Sequence, residues 1–175
     1  MRYACLLRGI NVSGLRKIAM KELVEVCKGI GLRNASSLLQ SGNLLVESSL
    51  KAPQVETLLQ DEICLRFSYA DVDVIALTAK DLMEVISGLP EDWRTHDSSK
   101  LHITFFKSIL VQASASNGGY APDLYALRGK VAYVYCPDGY GRTKLNTRFF
   151  ERLCKTRATT RNWSTTLKLQ MLAVA

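Results

Sequence analysis

The chain has 175 residues, of which 47% are hydrophobic and 22% are charged, and its formal net charge is +7. That length suffices for one domain or two small ones, and the composition is ordinary for a globular protein, which argues against a disordered or fibrous class. Charged residues interrupt each apolar run before it reaches the ~20 residues that a transmembrane helix needs. We therefore expect no membrane span.

The amino terminus and the cysteines indicate where the protein resides. The first apolar run returns to charge at Arg8, too early for a signal-peptide core of about 7–15 apolar residues. The five cysteines are odd in number and widely spaced, so a disulfide framework is not expected. These features predict a cytoplasmic location.

Hydrophobic periodicity predicts a βαββαβ order in the first half of the chain. A short apolar run at residues 3–7 is typical of a buried strand, and apolar residues then recur at helical spacing from Met20 to Ile30. Ser41-Gly42-Asn43 joins two strands, because Gly and Asn tolerate the positive φ of a tight hairpin. The predicted strands are 3–7, 36–40, 44–47 and 72–77, and the predicted helices are 20–30 and 53–67.

The second half repeats this order after a helix at 79–88 and a polar connector at 90–99. The predicted strands are 101–106, 123–127, 130–136 and 158–161, and the predicted helices are 108–116, 148–154 and a terminal 164–172. In a ferredoxin-like βαββαβ unit two helices cover one face of an antiparallel sheet. We predict an α+β chain of two such units with a C-terminal helix. The expected division is 1–78, a connector at 79–99, and 100–175.

Charge is distributed unevenly along the chain. Residues 1–46 carry seven basic and two acidic side chains, a net +5; residues 47–99 carry four and eleven, a net −7; and residues 100–175 carry twelve and three, a net +9. The basic concentration in the last segment can attract phosphates. Alternatively, Arg148, Arg152 and Lys155 form one solvated helix face that pairs with the acidic middle.

Two glycine-rich loops each lie between a predicted strand and a helix. The first, Gly9-Ile-Asn-Val-Ser-Gly14, has the glycine spacing of a P-loop, but Leu15 and Arg16 stand where that motif has Lys and Ser or Thr. Nucleotide hydrolysis is therefore not expected, while anion binding or a purely structural connector both remain open. The second loop contains Arg142 and Lys144, with Thr143 or Asn146 as a helix cap, and a turn with solvated cations is its alternative.

Other chemistries have little support in the sequence. Only His96 and His102 are present and Cys-X-X-Cys is absent, so no metal site is expected. Neither a Ser/His catalytic motif nor an acid and base pair is evident. Tyr133 and Tyr135 do not match an RNA-recognition signature and indicate packing or an ordinary surface. Trp163 is interpreted as an anchor for the terminal helix.

Several segments together resemble a known family. They are Cys5-Leu-Leu-Arg-Gly-Ile-Asn-Val-Ser-Gly14, Leu39-Gln-Ser-Gly-Asn43, Gly139-Tyr-Gly-Arg-Thr-Lys-Leu145 and Thr159-Thr-Arg-Asn-Trp163. In this combination and order they resemble the uncharacterised bacterial family catalogued as domain of unknown function number 1697. The resemblance implies a small α+β bacterial protein and carries over no reaction.

We therefore expect a basic protein that binds an anionic partner, either nucleic acid or a phosphorylated small molecule, without a cofactor. The alternatives are an enzyme acting on a small anionic metabolite and a homo-oligomeric interaction module, so the chain is a monomer or a dimer. The candidate ligand-binding residues are Arg8, Asn11, Arg16, Asn43, Arg142, Lys144, Arg161 and Trp163.

Overall fold

The computed structural model describes residues 1–11, 16–108 and 119–174. The chain is α+β, as predicted, and it divides into two compact units. The first unit comprises Met1–Leu82 with Leu169–Ala175, and the second comprises Met83–Lys168. The predicted domain division stays a prediction, because compactness does not show whether a segment folds by itself.

The first unit contains a four-stranded antiparallel sheet with strand order β2-β3-β1-β4. Its elements are β1 (Arg2–Arg8), α1 (Met20–Gly29), β2 (Arg33–Leu38), β3 (Asn43–Glu47), α2 (Ala52–Phe67) and β4 (Asp73–Thr78). β3 lies between β1 and β2 and is antiparallel to both, which is a split βαβ arrangement. The predicted βαββαβ order is present, and this strand order is compatible with the ferredoxin-like description, which stays a prediction.

One apolar cluster joins the sheet of the first unit to its two helices. Tyr3, Cys5 and Leu7 alternate along β1 and belong to the same buried cluster as Leu23 of α1 and Leu59 of α2. The residues that alternate with them on β1 are buried too, so the central strand is a continuous apolar run in the sequence. Burying a Leu or Ile side chain contributes about 1.5–3 kcal/mol.

The hairpin between β2 and β3 departs from the prediction at its first strand. The strand predicted at 36–40 is Arg33–Leu38 instead, because Leu39 adopts φ 61° and the chain leaves the extended conformation there. Gly42 has φ 75°, and a Cβ at this position would lie 3.0 Å from the Ile10 side chain. The turn therefore requires glycine for its backbone angle and for space.

The second unit has the strand order β6-β7-β5-β8. The elements from residue 79 onward are α3 (Ala79–Ser87), β5 (Leu101–Phe106), β6 (Leu124–Arg128), β7 (Val131–Tyr135), α4 (Thr147–Cys154), β8 (Ala158–Asn162) and α5 (Trp163–Val174). Two short 3-10 helices, Glu91–Thr95 and Ser98–Lys100, occupy the predicted polar connector. The predicted helix at 108–116 lies outside the described residues except for Ser108, which is an exposed bend.

Aromatic side chains fill the core under α4. Phe150 of α4 meets Tyr125 of β6 with ring centroids 5.6 Å apart and Phe106 of β5 at 6.3 Å, both edge to face. Such pairs add about 0.5–1.5 kcal/mol each beyond the area they bury. This packing holds α4, and the loop that leads into it, against the sheet.

In the part of the chain that the structure describes, no helix is long and apolar enough to cross a membrane. The same residues contain no group of three or more His, Cys, Asp or Glu side chains arranged to hold a metal ion. All five cysteines are described, and all are free thiols.

Candidate functional site

Asn11 fastens the first glycine-rich loop to the body of the first unit. Its φ is 52°, its Nδ2 donates to the carbonyls of Ile18 (2.9 Å) and Gln40 (3.0 Å), and its Oδ1 accepts from the Ile18 amide (2.9 Å). The side-chain amide of Asn11 thus forms hydrogen bonds to the backbone of the protein itself. Residues 12–15 of this loop lie outside the described residues.

The two arginines that flank the first loop face carboxylates. Arg8 Nη1 lies 3.8 Å from Asp73 Oδ2, and Arg16 forms an ion pair with Asp71 and donates to the Gly9 carbonyl at 3.4 Å. These aspartates belong to the acidic middle of the sequence. Arg8 and Arg16 therefore lie next to negative charge, which reduces their attraction for a further anion.

Asn43 is fully buried at the start of β3. Its Nδ2 donates to the Leu38 carbonyl (2.9 Å) and to Ser41 Oγ (3.0 Å), which closes the hairpin turn. The turn also contacts the end of β1, since the Leu7 amide donates to the Gly42 carbonyl at 2.8 Å, and it contacts the first loop through the bond from Asn11 Nδ2 to the Gln40 carbonyl. Residues 5–11 of the first motif segment are therefore neighbours of the segment at 39–43.

Arg161 is a buried arginine on β8, with only 7% of its surface exposed. Its Nη1 donates to Thr159 Oγ1 (2.7 Å) and to the Thr160 carbonyl (2.9 Å). Burial lowers the pKa of Arg161 to about 10, so the guanidinium still carries its charge at neutral pH. Trp163, half-buried, begins α5 one residue after Asn162, whose Oδ1 caps that helix by accepting from the Thr165 amide at 2.8 Å.

Arg142 and Lys144 line one pocket of about 250 Å³ in the second unit. The pocket is formed by residues 119–123, 138–139 and 142–144, and we call it the loop pocket. Both cations are exposed. The pocket wall also carries the carboxylates of Asp123 and Asp138.

Consecutive turns shape the loop that carries these residues. The Gly139 amide donates to the Cys136 carbonyl (2.9 Å), and the Arg142 amide donates to the Gly139 carbonyl (3.1 Å). Gly139 has φ 96°, a conformation that other residues rarely adopt. The backbone thereby returns on itself and presents Arg142 and Lys144 to the same pocket.

Thr143 joins the two walls of the loop pocket. Its Oγ1 donates to Asp123 Oδ2 at 2.5 Å and accepts from the Leu145 amide at 3.0 Å. The cap of α4 is Asn146, whose Oδ1 accepts from the Phe149 amide at 3.1 Å. The loop pocket therefore lies just before the N-terminal end of α4, where the helix dipole favours negative charge.

A chain of hydrogen-bonded hydroxyl groups connects the loop that carries Arg142 and Lys144 to the sheet. Tyr140 donates from its hydroxyl to Thr160 Oγ1 (3.1 Å) and lies 3.3 Å from Thr147 Oγ1. Thr160 Oγ1 is also 2.7 Å from Thr147 Oγ1 and 2.8 Å from Thr104 Oγ1. The motif segments at 139–145 and 159–163 are therefore joined through Tyr140 and Thr160.

His102 packs against this anchor. Its ring stacks on Tyr140 with centroids 4.4 Å apart, and its Nδ1 lies 3.3 Å from the Lys100 carbonyl. Since a carbonyl only accepts, this contact places the ring proton on Nδ1. Burial lowers the pKa of His102, and the contact with the Lys100 carbonyl opposes that shift in part.

Asp123, Asp138 and Tyr140 were not among the sequence-predicted site residues. A signal for the two aspartates was present, because residues 100–175 contain only three acidic side chains. No comparable signal pointed to Tyr140, since a loop tyrosine is common and its partner is 20 residues away.

In a comparison with protein families, the chain matches the model described as protein of unknown function DUF1697 over residues 1–133. The chain belongs to the DUF1697 family. This confirms the family that the motif segments indicated. Segments 139–145 and 159–163 lie beyond the matched residues, so their likeness to DUF1697 stays a prediction. A comparison with curated proteins gave no match.

The fold is also similar to the solved structure of the conserved bacterial protein SP0830 from Streptococcus pneumoniae. The TM-score is 0.72, the likeness covers 98% of each chain, and the sequence identity is 21%. At this identity the likeness shows the fold alone. Neither the family description nor this neighbour supplies a ligand or a reaction for DUF1697.

Proposed function

We propose that the protein binds a small phosphorylated molecule in the loop pocket. The observation that carries the proposal is that Arg142 and Lys144, both exposed, line the same pocket of about 250 Å³. A concave site excludes more water from a bound anion than a flat basic surface does, which strengthens each charge contact. We expect Arg142 to form a bidentate contact to the phosphate and Lys144 to contribute a single positive charge beside it.

The surroundings of the loop pocket support an anionic ligand. Residues 100–175 carry a net charge of +9, which raises the local concentration of anions. The pocket also lies before the capped N-terminal end of α4, at the positive end of the helix dipole. These effects act together at the position of Lys144.

The remaining predicted residues are outside this proposal. Asn11 and Asn43 donate their amides to backbone carbonyls, and Arg161 is buried against its own strand. Arg8 and Arg16 face aspartates. Within each unit these side chains have structural contacts that account for their polarity.

A matched pair of double variants tests the proposal. Binding of ribose 5-phosphate and of n-pentyl phosphate is measured by calorimetry and by the amide chemical shifts of residues 138–144. Arg142→Glu with Lys144→Glu should weaken both by about tenfold or more, because charge contacts to phosphate are lost and repulsion replaces them. The control is Arg152→Glu with Lys155→Glu, which makes the same charge change at the C-terminal end of α4, where both side chains are exposed.

The control distinguishes binding in the loop pocket from attraction by the net positive charge of the protein. A helix rises about 1.5 Å per residue, and exposed charges are largely screened beyond about 8 Å at physiological salt. The Arg152 and Lys155 variant should therefore retain binding within about a factor of three. Equal losses in the two double variants would show that net charge alone attracts the ligand. Failure of the wild-type protein to bind either phosphate would reject the proposal.

Nucleic acid is the second candidate ligand, favoured by the +9 charge of residues 100–175. Asp123 and Asp138 count against it, because they would face a polyanionic backbone. Salt distinguishes the two ligands. A protein making six to ten phosphate contacts loses about 10³–10⁵ in affinity between 50 and 200 mM salt, whereas one phosphate held by two cations should respond far less.

A further inference from the structure

Acidic side chains are rare in the second half of the chain, yet two of them meet in the loop pocket. Residues 100–175 contain Asp123, Asp138 and Glu151 and no other carboxylate side chain. Glu151 has a structural contact, since its Oε1 accepts from the Ala158 amide at 2.9 Å. Both aspartates line the loop pocket beside Arg142 and Lys144.

The two carboxylates are available to accept hydrogen bonds. Asp123 is half-buried and is held in place by Thr143, which donates to one of its two oxygens. Asp138 is exposed. Among residues 1–11, 16–108 and 119–174, neither aspartate forms an ion pair with Arg142 or Lys144, although all four line the same pocket. The site thus presents separate cationic and acceptor groups.

This arrangement fits a ligand with two kinds of group. An ionised carboxylate only accepts hydrogen bonds, so Asp123 and Asp138 would repel a second phosphate or a carboxylate and would attract hydroxyl donors. Resting on the function proposed above, we propose that the ligand is a phosphorylated sugar or polyol. Its phosphate lies on Arg142 and Lys144, and its hydroxyl groups donate to Asp123 and Asp138.

Removing the charge of Asp138 should change the affinities of two kinds of phosphate in opposite directions. Asp138→Asn removes a negative charge from the pocket, which favours any phosphate. The same change weakens the acceptor of a ligand hydroxyl, because hydrogen bonds to charged groups are stronger than those to neutral groups. A phosphate without hydroxyl groups should therefore bind more tightly to the variant. A phosphate with them should bind less tightly, because the exposed Asp138 charge acts through water and its removal gains less than the loss of the charged hydrogen bond costs.

The experiment compares ribose 5-phosphate with n-pentyl phosphate, two phosphomonoesters that differ in their hydroxyl groups. In the wild-type protein, ribose 5-phosphate should bind with at least about tenfold higher affinity than n-pentyl phosphate. This difference corresponds to one to two hydrogen bonds to a charged group. In Asp138→Asn the affinity of ribose 5-phosphate should fall and that of n-pentyl phosphate should rise. Asp92→Asn makes the same charge change on an exposed 3-10 turn and should alter neither preference.

A second variant, Asp123→Asn, keeps an oxygen that can accept from Thr143 while it removes the charge, and its effect should have the same two signs. Equal wild-type affinities for the two esters, or Asp138→Asn shifting both affinities in one direction or not at all, would overturn the sugar-phosphate assignment. The function proposed above would then still stand if the Arg142 and Lys144 double variant abolished binding. Binding of neither ester would overturn both.

Discussion

The hydroxyl of Tyr140 donates a hydrogen bond to Thr160 Oγ1 at 3.1 Å. This contact joins the loop that carries Arg142 and Lys144 to the edge strand β8, and Thr160 continues it to Thr104 on β5. Tyr140 therefore connects the loop of the pocket to the sheet, and its aromatic ring is also stacked on His102.

Removing the Tyr140 hydroxyl should destabilise the second unit. Tyr140→Phe retains the stacked ring but leaves Thr160 and Thr147 without this partner, so the free energy of unfolding should fall by about 0.5–1.5 kcal/mol. Urea denaturation measures the change. Tyr135→Phe is the control, because its ring also packs on a histidine, His96, and its hydroxyl makes no hydrogen bond within the described residues. Equal losses in the two variants would contradict the anchoring role.

The stability of the protein should depend on the charge of His102. Burial lowers the pKa of His102 below its ordinary value of 6.5, so the unfolded chain binds a proton at a higher pH than the folded chain does. Stability from this group is therefore fully present above pH 6.5 and is lost as the pH falls below it. The measurement is the free energy of unfolding at pH 7.5 and at pH 5.

The variant that isolates this dependence is His102→Phe, which keeps an aromatic ring against Tyr140. Its free energy of unfolding should fall less between pH 7.5 and pH 5 than that of the wild-type protein, since carboxylates titrate in both but the histidine in only one. If the free energy of unfolding of His102→Phe fell by as much between pH 7.5 and pH 5 as that of the wild-type protein, His102 would not contribute to the pH dependence.

The five thiols should react at very different rates. Burial raises the pKa of Cys5, raises that of Cys27 to about 12 and that of Cys136 to about 11, so their reactive thiolate forms are scarce at pH 8. Cys64 is exposed on α2. A disulfide reagent should therefore modify one thiol rapidly in the native protein and the buried ones only after unfolding.

Serine variants assign these thiols. Cys64→Ser should remove the fast phase of the reaction, whereas Cys27→Ser should leave it unchanged. Cys154 is half-buried and its pKa is raised by burial, which predicts an intermediate rate. A fast phase that survives in Cys64→Ser would contradict the burial of Cys5, Cys27 and Cys136 and the partial burial of Cys154.

Gly42 should tolerate no side chain. Gly42→Ala places a Cβ at φ 75°, 3.0 Å from Ile10 and 3.1 Å from Leu7 Cβ, so a conformational cost of about 1–2 kcal/mol is joined by an overpacking cost of about 1–3 kcal/mol. Gly31→Ala is the matched control, since Gly31 has φ 80° and a Cβ there would meet no atom of the described residues within 4 Å. The prediction fails if both variants lose the same free energy of unfolding.

Much of the fold was predicted because its signals are local. Helix α1 follows an apolar spacing of three to four residues, and the central strand β1 is a short continuous apolar run, so neighbouring residues alone create both signals. The first strand of the hairpin was misplaced because Leu39 adopts a positive φ, which leucine rarely takes. A hydrophobic pattern carries no information about such backbone angles.

The candidate site was predicted only in part for the same reason. Arg142 and Lys144 were visible as neighbours in a basic loop, but Asp123, which Thr143 holds, lies 20 residues earlier. The structural use of Arg16 depends on Asp71, a residue from the acidic middle of the chain. Such partners are set by strand pairing across long separations, which leaves no periodic trace in the sequence.

The sequence by itself determined the α+β class, the order of the elements, the uneven distribution of charge and the family. Tertiary structure alone decided which cations face carboxylates, as Arg8 does with Asp73, and which line an open pocket, as Arg142 does. The physical reason is that helices and strands follow from interactions over a few residues, whereas the surroundings of a charge depend on every segment that folding brings beside it.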